Sequence, residues 1–323
     1  MSDLLIGIDL GGTNVRTALV SRDKDVLRID SRPTNAHAGL DAVLDVMAEG
    51  VHAVLHEERL TIANVLAAGI GAPGPMNPQT GVVFSPPNLP GWKDVPLADA
   101  MSERLGIPCF VDNDANLACY GEFWMGAAQG CENVCLLTLG TGVGGGIIVN
   151  GKLLRGVDGT AAEIGHMIVN RDGRRCGCGT HGCLEAYGSV TGLLQTAREG
   201  MEQGETTTLT ERCSGDLLSI TGQMISEAAD AGDAYARSVL EDTGVWLGVA
   251  IASLINLFNP ERVVLAGGMT EAGDVLLDAI RNRARQDAFE VPGARAEIVV
   301  ATLAQDAGVL GAAGVALDRY ESA

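Results

Sequence analysis

The chain contains the same strand–glycine turn–strand pattern twice, and this repetition constrains its fold more than any other feature. Residues 4–10 (LLIGIDL) form an apolar run typical of a buried strand, a Gly-Gly turn follows, and residues 15–20 (VRTALV) alternate as a second strand. In the second half, NVCLLTLG, the turn TGVGGG and the segment IIVNGKLL repeat this plan. The duplication predicts two α/β domains facing each other across a cleft, each offering one glycine-rich hairpin to a ligand.

Helical periodicity predicts the elements between these strands. Apolar side chains at positions 40, 43, 44, 47, 51 and 55 share one face of a helix over residues 38–58. Further helices are expected near residues 113–125, 272–286 and 306–319. The apolar stretch of residues 244–258 is shorter than the ~18 residues of a membrane span, so it predicts a buried core helix.

Charge and composition exclude several classes of protein. A formal net charge of −19 leaves no basic surface to release counterions from a phosphate backbone, which argues against binding nucleic acid or an anionic membrane. The first residues lead directly into a strand, so we expect no signal or transit peptide, and we expect the eight cysteines to be reduced. These features predict a cytoplasmic protein.

The first glycine turn has the composition of a phosphate-binding hairpin. Gly11 and Gly12 let backbone N–H groups approach phosphate oxygens, Thr13 can donate a hydrogen bond, and Asp9 can hold Mg²⁺ or a water molecule bound to it. An ordinary hairpin turn with a solvated Asp9 is the alternative.

The second glycine turn, residues 140–146 (GTGVGGG), formally matches G-x-G-x-x-G. A dinucleotide-binding fingerprint must open a helix, whereas a β-hairpin follows here, and G-x-x-x-x-G-K-[ST] does not occur. Two such hairpins in equivalent positions favour a phosphate clamp. Gly267 and Gly268 follow the strand RVVLA, where they either pack against an adenine or simply turn the chain.

The segment VDNDAN contains two carboxylates where a strand passes into a helix. Asp112 and Asp114 are two residues apart, so their side chains diverge if both are extended. One of them could accept the proton of a sugar hydroxyl. Capping of the helix N-terminus is the alternative role of this segment.

Three cysteines and a histidine provide a ligand set for zinc. His166, Cys176, Cys178 and Cys183 form a Cys₃His combination that is typical of a structural zinc site, whereas unliganded thiols are the alternative. His181 is a competing ligand, although a solvent-facing side chain is the simpler expectation for it. Two glutamates flank the cluster, and they are either solvated or fixed to bind sugar hydroxyls.

Together these motifs resemble the ROK family of sugar kinases and sugar-responsive repressors over nearly the whole chain. DLGGTN resembles the family's first phosphate segment, TLGTGVGGGIIVNGKLLRGVDGTAAEIGH its central signature, and CGCGTHGCLE its zinc motif. The resemblance implies an actin-like, hexokinase-like duplicated two-domain fold with a ligand cleft, and it implies ATP, Mg²⁺ and a structural zinc ion. We expect a first domain of residues 1–113 with a C-terminal helix of about 306–323, and a second domain of residues 114–305 containing the zinc loop 166–183.

The resemblance also implies roles for individual residues. Asp114 resembles the family's catalytic base, and the proposed zinc ligands match its zinc-binding positions. The sugar contacts implied are Asn113, Asp114, Glu163, His166 and Glu185, with Gly74 and Asn88 as further sugar-side positions. The phosphate and metal contacts implied are Asp9, Gly11, Gly12, Thr13, Thr141 and Gly142, and Gly267 and Gly268 correspond to the adenosine side.

The activity implied is that of an ATP-dependent hexose kinase. The PPNLPGW, DNDAN, EIGH and GCLE segments most resemble those of the family's glucokinases. Kinases for N-acetylmannosamine, N-acetylglucosamine, fructose or allose are alternatives, and polyphosphate as donor has no positive support. A sugar-sensing regulator is a further alternative, but the family's repressors carry a helix-turn-helix before the first phosphate motif, which here begins at residue 9. We expect a homodimer or homotetramer.

Overall fold

The structure, a computed structural model, describes residues 3–86 and 88–322. Its strands are β1 (Leu4–Leu10), β2 (Asn14–Ser21), β3 (Val26–Pro33), β4 (Val65–Ala72), β5 (Met76–Asn77), β6 (Val82–Val83), β7 (Val95–Pro96), β8 (Cys109–Asn113), β9 (Val134–Leu139), β10 (Val143–Val149), β11 (Lys152–Leu153), β12 (Arg262–Ala266) and β13 (Glu297–Val300). Its α-helices are α1 (Leu40–Glu57), α2 (Leu97–Leu105), α3 (Asp114–Trp124), α4 (Glu185–Gly188), α5 (Val190–Glu202), α6 (Leu209–Arg212), α7 (Gly222–Asp230), α8 (Ala234–Phe258), α9 (Asp274–Asp287), α10 (Glu290–Arg295) and α11 (Ala307–Ser322).

The two large sheets share one strand order, which confirms the predicted duplication. The first sheet runs β3-β2-β1-β4-β8 and the second β11-β10-β9-β12-β13. In the first sheet β2 is antiparallel to β1 and β3, while β4 and β8 continue parallel to β1. In the second sheet β9, β12 and β13 are parallel. Strands β5, β6 and β7 form a small separate sheet.

Sequence patterns explain several of these elements directly. β1 is an inner strand of its sheet, and five of its seven residues are buried, which accounts for its continuous apolar run. α1 buries the predicted face, including Val43, Met47 and Val51. Asn150 and Gly151 adopt φ angles of 50° and 73°, as the tight turn between β10 and β11 requires.

Helix α8 is longer than the predicted apolar stretch because the helix already begins at Ala234, in a more polar segment. Its 25 residues make it, among the described residues, the one helix long and apolar enough to cross a membrane by length and composition. Most of its apolar window is nevertheless buried inside the protein, including Leu247, Ile251 and Leu254. α8 therefore has the burial of a core helix, as predicted.

The chain divides into two compact units. The first unit comprises residues 3–131, 146–162 and 302–322, and the second comprises residues 132–145 and 163–301. This division differs from the expected one, which ended the first domain at residue 113. Residues 114–131 and 146–162 belong to the first unit, whereas the metal loop 166–183 lies in the second unit. Ala323, the end of the expected C-terminal helix, is outside the described residues.

Close packing of α11 explains why α3 belongs to the first unit. A Cβ atom at Gly311 would lie 1.8 Å from the carbonyl oxygen of Leu117, and one at Gly121 would lie 2.1 Å from that of Ala307. The two helices therefore touch backbone to backbone. Gly7 on β1 and Gly69 on β4 approach the backbone of α11 in the same way, each with a corresponding distance of 1.9 Å.

We expect Gly311→Ala to destabilise the protein, because the added methyl group must push α11 away from α3. Overpacking of this kind costs about 1–3 kcal/mol of unfolding free energy. Gly222→Ala is the matched control, since a Cβ there meets its nearest atom at 3.8 Å. Thermal unfolding followed by circular dichroism should show a lower midpoint for Gly311→Ala alone. Equal midpoints for the two variants would mean that the α3–α11 contact is not tight.

Candidate functional site

The first glycine turn is exposed at the end of β1. The Gly11 N–H donates to the carbonyl oxygen of Asn14 at 3.0 Å, and the Thr34 hydroxyl donates to the carbonyl oxygen of Gly11 at 2.6 Å. Gly12 and Thr13 are exposed, so their polar groups can be reached by a ligand. A Cβ at Gly12 would lie 3.0 Å from the Cβ of Asn88. The structure thus brings a predicted sugar-side residue next to the predicted phosphate turn.

Two carboxylates influence each other near this turn. Burial raises the pKa of Asp9 to about 6, the negative charge of Asp114 adds to the rise, and the positive charge of Arg16 opposes it. Gly71 and Gly308 make room for the Asp9 side chain, whose oxygens would lie 3.5 Å and 3.2 Å from Cβ atoms at these positions. Carboxylate oxygens are the ligands that Mg²⁺ prefers, so Asp9 has the chemistry of a ligand for a divalent cation.

The two carboxylates of the VDNDAN segment have different environments. Asp112 is buried, pairs with Arg155 Nε at 2.7 Å, and accepts hydrogen bonds from the Asn113 N–H and from Asn116 Nδ2. Asn113 is the N-cap of α3, because its Oδ1 accepts from the N–H of Ala115 at 2.9 Å. Asn113 thus caps α3, and the Asp114 Oδ1 also accepts a hydrogen bond from the Ala115 N–H, at 2.8 Å.

Asp114 remains exposed at the first position of α3. The predicted divergence of the two aspartates is thus present, with Asp112 inside and Asp114 outside. Gly74, after β4, has a φ of 84°, a conformation that favours glycine.

The predicted metal ligands come together in the second unit. One ligand atom from each of His166, Cys176, Cys178 and Cys183 lies within 4.8 Å of every other. Cys178 and Cys183 have their sulfurs 3.7 Å apart, and His166 Nδ1 is 3.7 Å from Cys176 Sγ. His181 is exposed and does not belong to this group.

These distances fit a tetrahedral zinc ion. Zn–S bonds of about 2.3 Å place two sulfurs about 3.8 Å apart at tetrahedral angles, and a sulfur–nitrogen edge is slightly shorter. Burial raises the pKa of Cys183 to about 12, with the neighbouring thiols adding to the rise, whereas a hydrogen bond from the Thr180 backbone lowers the pKa of Cys178 to about 7. A cation at the centre would favour the thiolate forms. Because Nδ1 of His166 faces the sulfurs, its other ring nitrogen is directed away from them.

Glu163 and Glu185, which flank the metal ligands in the sequence, differ in exposure and in hydrogen bonding. Glu163 is exposed, and it follows Ala162, which has a φ of 67°. A non-glycine residue in this region is strained by roughly 1–3 kcal/mol, and such strain is often found at functional sites. Glu185 is half-buried, and its carboxylate accepts a hydrogen bond from the Val143 N–H at 3.0 Å.

The second glycine turn is hydrogen-bonded to the start of α5, and α5 also lines a cavity of about 510 Å³ in the same unit. The Val190 N–H donates to the carbonyl oxygen of Gly140, and the Thr191 hydroxyl donates to that of Thr141, so the start of α5 anchors the turn. The cavity is lined by α5, α7 and the segment after β12, including Val190, Leu193, Gly222, Gly268, Met269 and Ala272. Three polar side chains, Gln223, Ser226 and Glu271, also line it, so the cavity combines apolar walls with polar groups and has the volume of a small-ligand site.

Gly267 and Gly268, which the sequence left open, have separate roles. Gly267 has a φ of 98°, and a Cβ there would lie 2.4 Å from the carbonyl oxygen of Leu139, so it turns the chain against β9. Gly268 lines the cavity. The position of Gly267 is therefore explained by the fold and that of Gly268 by the cavity.

Sequence reasoning missed three features of the site. The ion pair of Asp112 with Arg155 and the hydrogen bond of Glu185 to Val143 join residues 43 and 42 positions apart, and no local pattern indicates either contact. The strained backbone at Ala162 was also missed. In the sequence, this strain was indicated only by the position of Ala162 directly before Glu163, a predicted sugar ligand.

Comparisons with known proteins agree with this geometry. The model of the ROK family matches residues 5–319. The chain is 39% identical over 307 residues to a glucokinase of Halalkalibacterium halodurans, covering 95% of this chain and 92% of that protein. A ROK family glucokinase from Streptomyces griseus, solved in complex with glucose and AMPPNP, is 36% identical with a TM-score of 0.78, covering 98% of this chain and 99% of that one. A xylose repressor of Bacillus subtilis is 26% identical over 98% of this chain and 77% of the repressor.

Proposed function

The chain belongs to the ROK family, and from this premise we propose that it is an ATP-dependent glucokinase, which converts glucose and ATP to glucose 6-phosphate and ADP. The observation that carries the proposal is the full-length similarity to a glucokinase. Within the second unit, the grouping of the four predicted metal ligands and the hydrogen bond that Glu185 accepts from the Val143 N–H support it. The expected actin-like, hexokinase-like fold is that of this family. The lower identity to repressors favours the kinase over the regulator.

The donor is ATP, and both glycine turns contribute to holding its phosphates. Gly12, Thr13 and Thr141 are exposed, whereas Gly11 and Gly142 beside them are half-buried. We expect these residues to contact the phosphates. Asp9 would hold Mg²⁺ or its water, and the cation supplies charge that stabilises the transferring phosphoryl group. The adenosine occupies the cavity that Gly268 lines.

The acceptor is a hexose bound by carboxylates and amides. Glu163, His166 and Glu185 of the second unit bind ring hydroxyls, because charged and imidazole groups make directional hydrogen bonds to them. Gly74, Asn88 and Asn113 of the first unit add further contacts. Asp114 accepts the proton of the 6-hydroxyl as its oxygen attacks the γ-phosphorus in line. Its exposure supports this role, since a base must reach its substrate.

The homodimer or homotetramer and the cytoplasmic location remain predictions. Sedimentation of the purified protein tests the first of these.

We expect purified protein to phosphorylate glucose with ATP. A coupled ADP-release assay over glucose, fructose, allose, N-acetylglucosamine and N-acetylmannosamine should give a kcat/KM for glucose at least ~10-fold above the others, because unpaired polar groups penalise a wrong sugar. Replacing ATP by polyphosphate tests the donor. Glucose binding without turnover of any sugar would instead support a regulator, and preference for another sugar would reassign the substrate.

Asp114→Asn should lower kcat at least ~10²-fold, the usual scale for loss of a general base, while the glucose Kd changes little. The amide keeps the size of the side chain but cannot accept a proton at neutral pH. Asp99→Asn, at an exposed carboxylate in α2, is the matched control and should retain full turnover. Turnover rates and calorimetric glucose affinities measure both effects. Near-normal turnover of Asp114→Asn would remove it from the role of base.

Zinc in the Cys₃His cluster would shape the sugar site without taking part in the chemistry. Four protein ligands complete a tetrahedral shell and leave no position for substrate. The metal would hold the segment with Glu163 and His166 to the segment with Cys183 and Glu185. The chain between them is rich in glycine and poor in apolar residues, so it depends on the metal for its shape.

We therefore expect about one zinc per chain by elemental analysis. Cys178→Ala should lose this zinc and weaken glucose binding, because one ligand of the shell is missing. Cys131→Ala removes a thiol outside the cluster and should keep the metal. Fully active protein with no metal at these cysteines would contradict the structural role.

A further inference from the structure

Glu185 contacts the nucleotide side of the second unit as well as the metal loop. It is the first residue of α4, two positions after Cys183. Its Oε2 accepts a hydrogen bond from the Val143 N–H at 3.0 Å, and its Oε1 lies 3.7 Å from Cys176 Sγ. Val143 directly follows the turn residues Thr141 and Gly142. One carboxylate therefore lies against both the metal loop and the phosphate turn.

The Glu185 carboxylate lies so close to residue 142 that only glycine fits there. A Cβ at position 142 would lie 2.3 Å from Glu185 Oε2, closer than any real contact allows. Gly142 is not among the residues with positive φ, so the backbone conformation does not itself require glycine. The absence of a side chain at 142 is instead required by the approach of Glu185.

The Val143 peptide is also held on its carbonyl side. A Cβ at Gly165 would lie 2.0 Å from the Val143 carbonyl oxygen, so the backbone between Glu163 and His166 packs directly on it. Both segments of the second unit that carry proposed sugar ligands therefore touch Val143, the residue that follows the phosphate turn. Movement of either segment must move that residue, because close-packed atoms transmit displacement.

We propose that Glu185 is a positioning residue that couples sugar binding to nucleotide binding. Oε2 holds the Val143 N–H and thereby fixes the phosphate turn, while Oε1 lies near Cys176 of the metal loop and would be the oxygen that binds a sugar hydroxyl. A sugar that fixes the carboxylate also fixes the turn, so each ligand tightens the binding of the other, as linkage requires. This inference rests on the proposed glucokinase function.

The glycine content of the turn explains why it needs such a contact. The segment GTGVGGG contains five glycines in seven residues, and free glycine backbone loses much entropy when it is ordered. The start of α5 holds Gly140 and Thr141 from one side. Glu185 holds the other side by a charge-assisted bond, which is stronger than a neutral one.

The test measures AMPPNP affinity by calorimetry with and without saturating glucose, at constant Mg²⁺. In the wild-type protein we expect glucose to tighten AMPPNP binding by at least ~5-fold, the lower range of measured couplings. Glu185→Gln should reduce this factor below about 2-fold, because the amide binds the N–H more weakly and can turn its NH₂ group towards it.

Glu163→Gln is the matched control. It also removes a carboxylate from the sugar side, so it should weaken glucose binding, yet it should keep the wild-type coupling factor at saturating glucose. Gly142→Ala retains Glu163 and Glu185 in the sequence but displaces the Glu185 side chain, so it should lose the coupling as well. Zinc content, measured for every variant, verifies that the metal loop is retained.

Equal coupling factors in the wild-type protein, Glu185→Gln and Gly142→Ala would overturn the inference, as would wild-type protein that binds both ligands without coupling. Neither result would affect the glucokinase proposal, which the sugar assay tests separately. A wild-type protein that binds neither glucose nor AMPPNP would overturn both.

Discussion

The backbone contact of α11 with β1, β4 and α3 is the constraint on which the first unit depends. Glycines at positions 7, 69, 121 and 311 remove the side chains that would separate these elements. Asp9 is the penultimate residue of β1, and α3 begins at Asp114, so the helix that packs on both β1 and α3 also sets the spacing of these carboxylates. Gly308, in the first turn of α11, lies beside the Asp9 carboxylate. Packing and chemistry are thus specified by the same helix.

Buried carboxylates stabilise the backbone around this packing. Glu122 is fully buried, and its oxygens accept hydrogen bonds from the N–H groups of Ala127, Thr302 and Leu303. Ala127 lies just before the chain leaves the first unit, and Thr302 is where it returns. A buried charge is costly unless hydrogen bonds satisfy it, and three backbone donors supply that compensation. The carboxylate of Asp112, next to the start of α3, is satisfied in a similar way, because it accepts hydrogen bonds from Arg155 Nε and Asn116 Nδ2.

Local sequence patterns predicted the elements and motifs because the determining residues are neighbours in the chain. The Asn150-Gly151 turn, the buried face of α1 and the Cys₃His group within eighteen residues of sequence are of this kind. The resemblance to a family added the fold and the roles of Asp114 and the glutamates. What the sequence could not predict depends on contacts between distant segments. The assignment of residues 114–131 to the first unit follows from helix packing, which has no local signal.

Glu163 and Glu185 occupy similar positions in the sequence pattern but have different environments in the structure. They flank the cysteine cluster almost evenly, and the sequence suggests one role for both. In the structure Glu163 is exposed, whereas Glu185 is half-buried and hydrogen-bonded to the Val143 N–H. An exposed glutamate loses rotamer entropy when it binds a hydroxyl, whereas one already held by the fold loses less.

If both glutamates bind the sugar as proposed, they would therefore contribute unequally to its recognition. A held group discriminates more sharply between hydroxyl positions, since it cannot shift to accommodate a misplaced one. In the proposed sugar site, Glu185 would consequently be the residue whose geometry constrains the sugar most, and Glu163 the one that can adapt. The difference arises from Gly142, whose missing side chain lets the Glu185 carboxylate reach the backbone of the phosphate turn.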